Sequence, residues 1–108
     1  MKILGIESSC DDTSVAIVDS NKQILSNERI SQNNIHQAYT GVVPELAARN
    51  HVFHIDKITK KALKNADLDL NNIDAIASTA GPGLIGGLLV GLSFAKTLAQ
   101  VNKLPFVA

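Results

Sequence analysis

The sequence is poor in the features that mark secreted, membrane and nucleic-acid-binding chains. It has no tryptophan and only four other aromatic rings: Tyr39, Phe53, Phe94 and Phe106. Its single cysteine, Cys10, excludes an internal disulfide and fits a reducing compartment. Ten basic and ten acidic residues cancel, so no global field recruits nucleic acid or an anionic membrane surface. Long apolar runs are also missing. The richest segment, Leu84 to Ala95, is broken by Gly86, Gly87 and Gly91 and ends at Lys96, well short of the ~20 residues that a membrane helix requires. The apolar stretch at the start is about five residues, whereas a signal-peptide core needs roughly 7–15. A cytoplasmic chain with no membrane partner is expected. At 108 residues it is one domain at most, with room for a real core.

Periodicity supplies the order of elements. Lys2 to Ile6 is a short apolar run bounded by turn formers, and Thr13 to Val18 is rich in β-branched residues; both read as strands. Asp19 to Lys22 has the composition of a turn, and Gln23 to Ile30 reads as a third strand. Connections this short require an antiparallel meander, because parallel neighbours need a crossover of a dozen residues or more. A polar loop at 31–41 follows. Pro44 and Glu45 then suit the first turn of a helix running to Ala66, with Leu46, Phe53, Ile55, Ile58, Ala62 and Leu63 on its apolar side. Lys57, Lys60, Lys61 and Lys64 fall together elsewhere on this helix, which fits a solvated face better than an RNA contact. After a loop at 67–72, Ile73 to Thr79 reads as a strand, Ala80-Gly81-Pro82-Gly83 as a turn, Leu84 to Val101 as a helix and Leu104 to Ala108 as a last strand. The order β-β-β-α-β-α-β predicts one mixed five-stranded sheet with helices packed on it. A chain stopping on a strand reads as truncated there.

Three motifs invite chemical readings. Gly81 to Gly86 formally matches GxGxxG after a strand. Pro82, however, removes a backbone donor from the turn, and the acidic ribose-binding residue expected roughly 20 positions on would fall near Phe106. Glycines at 83, 87 and 91 instead line one helix face at every fourth residue, the pattern of close backbone packing. His51 and His54 lie three apart, with His36 before them, but without an HExxH pattern they read as structural or surface residues. Cys10 has no recognisable base, which weighs against a catalytic thiol.

The strongest local signal is GIESSCDDTSVAIV at residues 5–18. Between two strands it sets Glu7, Ser8, Ser9, Cys10, Asp11, Asp12 and Thr13 in a row. Such a hairpin can turn N–H groups and hydroxyls toward phosphate oxygens, while its acids hold a metal or its water, or orient a nucleophile. A plain polar turn uses the same residue types.

Together with GVVPELAARNH at 41–51 and TAGPGLIGGLLVGLSFAKTLA at 79–99, this stretch resembles the TsaD family of tRNA adenosine threonylcarbamoyltransferases over nearly the whole chain. The resemblance implies an α/β fold of the actin/hexokinase-like (ribonuclease H-like) kind, with residues 1–108 as the N-terminal part of its first actin-like ATPase-type domain. It implies transfer of a threonylcarbamoyl group from threonylcarbamoyl-adenylate to N6 of the adenosine beside the anticodon, with that adenylate or an ATP-type nucleotide as the bound ligand. It further implies that Ser9 approaches phosphate and that Asp11 and Asp12 are catalytic acids facing the adenylate. Asp12 stands where other members carry Glu, and Thr40-Gly41 where many carry two glycines. The implied partners are a TsaB-like subunit against helices 44–66 and 84–101, a TsaE-like ATPase and tRNA. The family's divalent metal, iron or zinc, takes ligands from segments with no counterpart here, so no metal ligand is assigned to His36, His51 or His54. An N-terminal fragment inactive alone is therefore expected, with a homodimer of the fragment possible through its open sheet edge. Two alternatives stay open: a non-catalytic TsaB-like binding module, and the nucleotide-binding lobe of a sugar- or acetate-kinase relative. The ESSCDD turn, unlike a Gly-Thr-Thr/Ser phosphate loop, weighs against the kinase. The family's older protease label finds neither a zincin helix nor a nucleophile–base pair.

Overall fold

Strand formation follows the β-branched runs. In the computed structural model, which describes residues 1–32, 41 and 43–108, β1 spans Lys2–Glu7, β2 Thr13–Asp19 and β3 Ile24–Ile30. They form the expected meander, β1 antiparallel to β2 and β2 to β3. The β2–β3 turn is closed by Asp19, whose Oδ1 accepts the N–H groups of Asn21 and Gln23. Helix α1 runs over Pro44–Asn65, with Pro44 opening its first turn and Glu45 paired there with Arg49 at 2.6 Å. Strand β4 is Ala75–Ser78, α2 is Ile85–Val101 and β5 is Phe106–Val107. The sheet order is β3-β2-β1-β4-β5, with β4 parallel to both β1 and β5.

The last two strands are shorter than expected. Ile73 closes a single 3-10 turn at Leu70–Asn72 instead of starting β4. Asp69 N–H donates to Asn72 Oδ1 at 2.8 Å, a local bond that competes with the ladder. The expected loop at 31–41 falls mostly outside the described residues, and His36, Tyr39 and Thr40 with it.

Both helices pack against the same face of the sheet. Leu4, Ile6, Val15, Ile17 and Ile76 alternate inward and meet Ile55, Ile58 and Ala62 of α1 and Ala95 and Ala99 of α2 in one core. The α1 stripe differs from the expected one: the buried positions are Ala47, His51, Ile55, Ile58, Thr59 and Ala62, while Phe53 is 64% exposed. The four lysines do face solvent, Lys60 pairing with Asp56 and Lys61 with Glu28.

The opposite face carries small residues. Ala16, Gly5 and Ala77 stand side by side across β2, β1 and β4. They floor a trench of about 460 Å³ that runs up to Glu7 and Thr79 at the carboxyl ends of β1 and β4. In open α/β sheets, ligands bind outside the carboxyl ends of parallel strands. The hairpin ESSCDD lies at that end.

Candidate functional site

The β1–β2 hairpin is shaped by both helices. At Ser8 the side chain is buried, donates to Gly87 O at 2.7 Å and accepts Gly91 N–H at 3.0 Å. Ser9 O accepts Leu84 N–H at 2.7 Å, where α2 begins. A Cβ on Gly83 would stand 2.4 Å from Ser9 O, one on Gly87 2.7 Å from Ser8 O, and one on Gly91 2.4 Å from Ser8 Oγ. Contacts that short do not occur, so the glycine stripe exists because the hairpin backbone lies directly on it. Of the GxGxxG match, close packing accounts for Gly83; a Cβ on Gly86 would meet only Ala48 Cβ at 3.6 Å.

From α1, His51 reaches the hairpin with both ring nitrogens. Its ring is fully buried; Nδ1 is 2.7 Å from Thr13 Oγ1 and Nε2 is 3.0 Å from Cys10 O. A carbonyl can only accept, so Nε2 carries a proton, and in the neutral ring Thr13 donates to Nδ1.

The residues expected at the site are arranged as follows. Ser9 turns both of its donors to Glu7: its N–H meets Oε1 at 2.6 Å and its hydroxyl meets Oε2 at 2.9 Å. One carboxylate thus spans a pair of donors that would equally suit two phosphate oxygens. Asp12 Oδ2 lies 3.6 Å from Arg29 Nη1 on β3, a partly exposed ion pair. Asp11 stands beside the Cys10 thiol. Partial burial of that sulfur, then the Asp11 carboxylate, with Asp12 adding to it, raises the thiol above its ordinary range. Cys10 is exposed yet protonated at neutral pH, unlike a nucleophilic cysteine.

Sequence reasoning names Glu7 and Ser8 within the polar cluster and reads His51 as structural or surface, but gives none of the three its partner here. The four-residue beat of the glycines signals a backbone lying along α2, but not which one. His51 carries a signal only in hindsight, as the sole ionisable side chain in the α1 stripe 47–51–55–58.

The described residues do not fit the divalent metal that the resemblance implies. No group of three or more His, Cys, Asp or Glu side chains among them could hold an ion. Both nitrogens of His51 are engaged, and His54 stands edge-on to Phe53 at 5.0 Å. His36 lies outside the described residues.

The two helices leave between them a mostly apolar groove of about 500 Å³ lined by Val52, Ile55, Leu89, Val90 and Phe94, with Asp56 and Ser93 at its wall. Val52 and Leu89 are exposed there. Among the described residues no helix is long and apolar enough to cross a membrane.

Known proteins share both the fold and the sequence. YeaZ from Pseudomonas aeruginosa superposes with a TM-score of 0.74 at 20% identity, over all of this chain and 44% of that one. A second solved structure, an uncharacterised protein with similarity to peptidase YEAZ from Pseudomonas aeruginosa, gives 0.75 at 23% identity over 99% of this chain and 42% of that one. These likenesses show a shared α/β fold. The tRNA N6-adenosine threonylcarbamoyltransferase of Rickettsia canadensis (strain McKiel) is 57% identical over 107 residues, 99% of this chain and 31% of that protein. The enzyme of the same name from Caldicellulosiruptor saccharolyticus is 55% identical over 108 residues, 32% of its length. The chain thus spans about a third of the length of the curated relatives it matches. The model of the TsaD family, tRNA N6-adenosine threonylcarbamoyltransferase, matches residues 23–108. With most of its length inside that match, the chain belongs to the TsaD family.

Proposed function

We propose that this chain is the N-terminal part of the first actin-like domain of a cytoplasmic enzyme. That enzyme transfers a threonylcarbamoyl group from threonylcarbamoyl-adenylate to N6 of the adenosine beside the tRNA anticodon. The observation that carries the reading is the hairpin at the carboxyl ends of β1 and β4. Its backbone is fixed on the glycine face of α2, and its tip holds Asp11, Asp12 and the exposed Cys10. A turn whose only role was to reverse the chain would have no need of two helices to hold it.

In the transfer, the N6 nitrogen attacks the carbamoyl carbon and a C–N bond forms. The bond from that carbon to the phosphate oxygen breaks, and AMP leaves with the electron pair. The N6 proton needs an acceptor. Asp11 and Asp12 are carboxylates suited to accept it or to orient the amine, Asp12 being steadied by Arg29. Ser9 offers its N–H and hydroxyl to phosphate oxygens in exchange for Glu7. The described residues of this chain supply no ligand set for the divalent metal. The exposed apolar groove between α1 and α2 is the surface for a TsaB-like subunit. A TsaE-like ATPase and tRNA engage the longer protein.

A titration of the 108-residue chain with ATP and with AMP tests this reading. The backbone amides of Ser9, Asp11 and Asp12 are expected to shift first in nitrogen–proton correlation spectra. Shifts confined to the outer faces of α1 and α2 would refute nucleotide binding and favour a non-catalytic interaction module, the second reading that the apolar groove supports. No transfer to tRNA is expected from this chain by itself; turnover by it alone would overturn the division of the active site.

A further inference from the structure

We infer that His51 is a positioning residue: by holding the Cys10 carbonyl it sets the plane of the Cys10–Asp11 peptide and so aims the Asp11 N–H at the ligand side of the hairpin. The inference deepens the nucleotide reading above and rests on it for the identity of the ligand, an anionic oxygen of the phosphate type.

The geometry runs from α1 outward. His51 is anchored on both sides, its Nδ1 at 2.7 Å from Thr13 Oγ1 and its Nε2 at 3.0 Å from Cys10 O. Thr13 is fully buried and begins β2, so the ring is referenced to the sheet. Its far edge is pressed by α2, since a Cβ on Gly87 would come within 3.1 Å of His51 Cδ2. A ring bounded on three sides has one orientation. The Cys10–Asp11 bond is trans, the one cis bond among the described residues being Gly81–Pro82. Across a trans peptide the C=O and the following N–H point in opposite directions. With the Cys10 C=O drawn inward to the buried ring, the Asp11 N–H points outward. There it faces the Cys10 sulfur, a weak acceptor that a phosphate oxygen would readily replace.

A purely structural histidine would support stability anywhere in the core. His51 instead spends both nitrogens on the hairpin that carries Asp11 and Asp12, and neither on α1 or α2. Phenylalanine would fill the space but leave the carbonyl without its donor. Glutamine retains an N–H that can reach it.

Because Cys10 is the single cysteine, its reaction rate with a disulfide reagent reports the hairpin without labelling. His51→Phe is expected to lower that rate, because an Asp11 N–H turned away from the sulfur no longer favours the reactive thiolate, and to shift the Asp11 amide. His51→Gln is expected to stay within about twofold. In the unsubstituted chain, imidazole nitrogen spectra should show a protonated Nε2 and an Nδ1 that accepts. A folded His51→Phe variant with unchanged thiol rate and unchanged Asp11 amide would overturn the inference. If that variant does not fold, Thr13→Val, which replaces the hydroxyl by a methyl group of similar size, carries the same expectation and the same refutation. ATP, added as the probe in a separate arm, distinguishes the two proposals. An Asp11 amide that responds to His51 but not to ATP sinks the nucleotide reading and leaves His51 its role in orienting the peptide.

Discussion

Two adjacent glycines of α2 should respond to alanine with opposite signs. In a helix, Gly→Ala gains up to about 1 kcal/mol from backbone entropy, less in the first turn. At Gly86 the new methyl would meet only Ala48 Cβ at 3.6 Å, an ordinary contact, so that gain survives. At Gly87 it would stand 2.7 Å from Ser8 O and 3.1 Å from His51 Cδ2. Neither neighbour can rotate away: one is backbone, and the other is a ring held at both nitrogens. Helix and hairpin must separate by about 0.7 Å to restore contact at 3.4 Å. That displacement carries an overpacking cost of about 1–3 kcal/mol. It also stretches the Ser8 hydrogen bonds to Gly87 and Gly91, worth about 1 kcal/mol each. The net expectation is that Gly87→Ala loses about 1–3 kcal/mol while Gly86→Ala is neutral or gains up to about 1 kcal/mol. Urea denaturation followed by circular dichroism measures both, with an unchanged slope in urea as the condition for comparison. Equal midpoints for the two variants would refute the claim that the hairpin backbone lies on the α2 glycine face.

Ile76→Ala, at the fully buried centre of β4, is expected to cost about 2–5 kcal/mol in the same assay; a loss below 1 kcal/mol would mean that the core is loosely packed. Reaction of Cys10 with a thiol reagent should lag that of a free cysteine at pH 8 and catch up only at higher pH. The raised pKa leaves less thiolate at any given pH, and Asp11→Asn should move the profile part of the way back, burial being the larger cause. A profile that Asp11→Asn leaves in place would remove Asp11 from the neighbourhood of the sulfur. Leu89→Asp, on the exposed side of α2, should change folding stability by no more than about 0.5 kcal/mol yet abolish binding to a TsaB-like subunit in calorimetry. Undiminished affinity would exclude this groove as the docking surface.

Local signals placed most of the architecture. The β-branched runs, the Asp19 turn, Pro44 at a helix start and glycines spaced by four each act within a few residues, and the order of elements follows from them. The limits of that reach are visible in α1. Phe53 belongs to an apolar pattern yet is exposed, while His51, polar by type, is fully buried. Periodicity states which residues share a face; it does not state what covers the face, and a histidine is buried only where donors and acceptors meet it.

By itself the sequence determined a mixed β-β-β-α-β-α-β unit, the acidic hairpin as its most informative stretch, and the family to which these motifs point. The tertiary structure alone decided how the hairpin is held. Ser8 meets Gly91 across 83 positions and Thr13 meets His51 across 38. Pairs so far apart in the chain leave no periodic trace in it. They are brought together by a sheet that sets β1 in the middle and two helices on one face, and only that packing converts separate glycines, a serine and a histidine into one clamp.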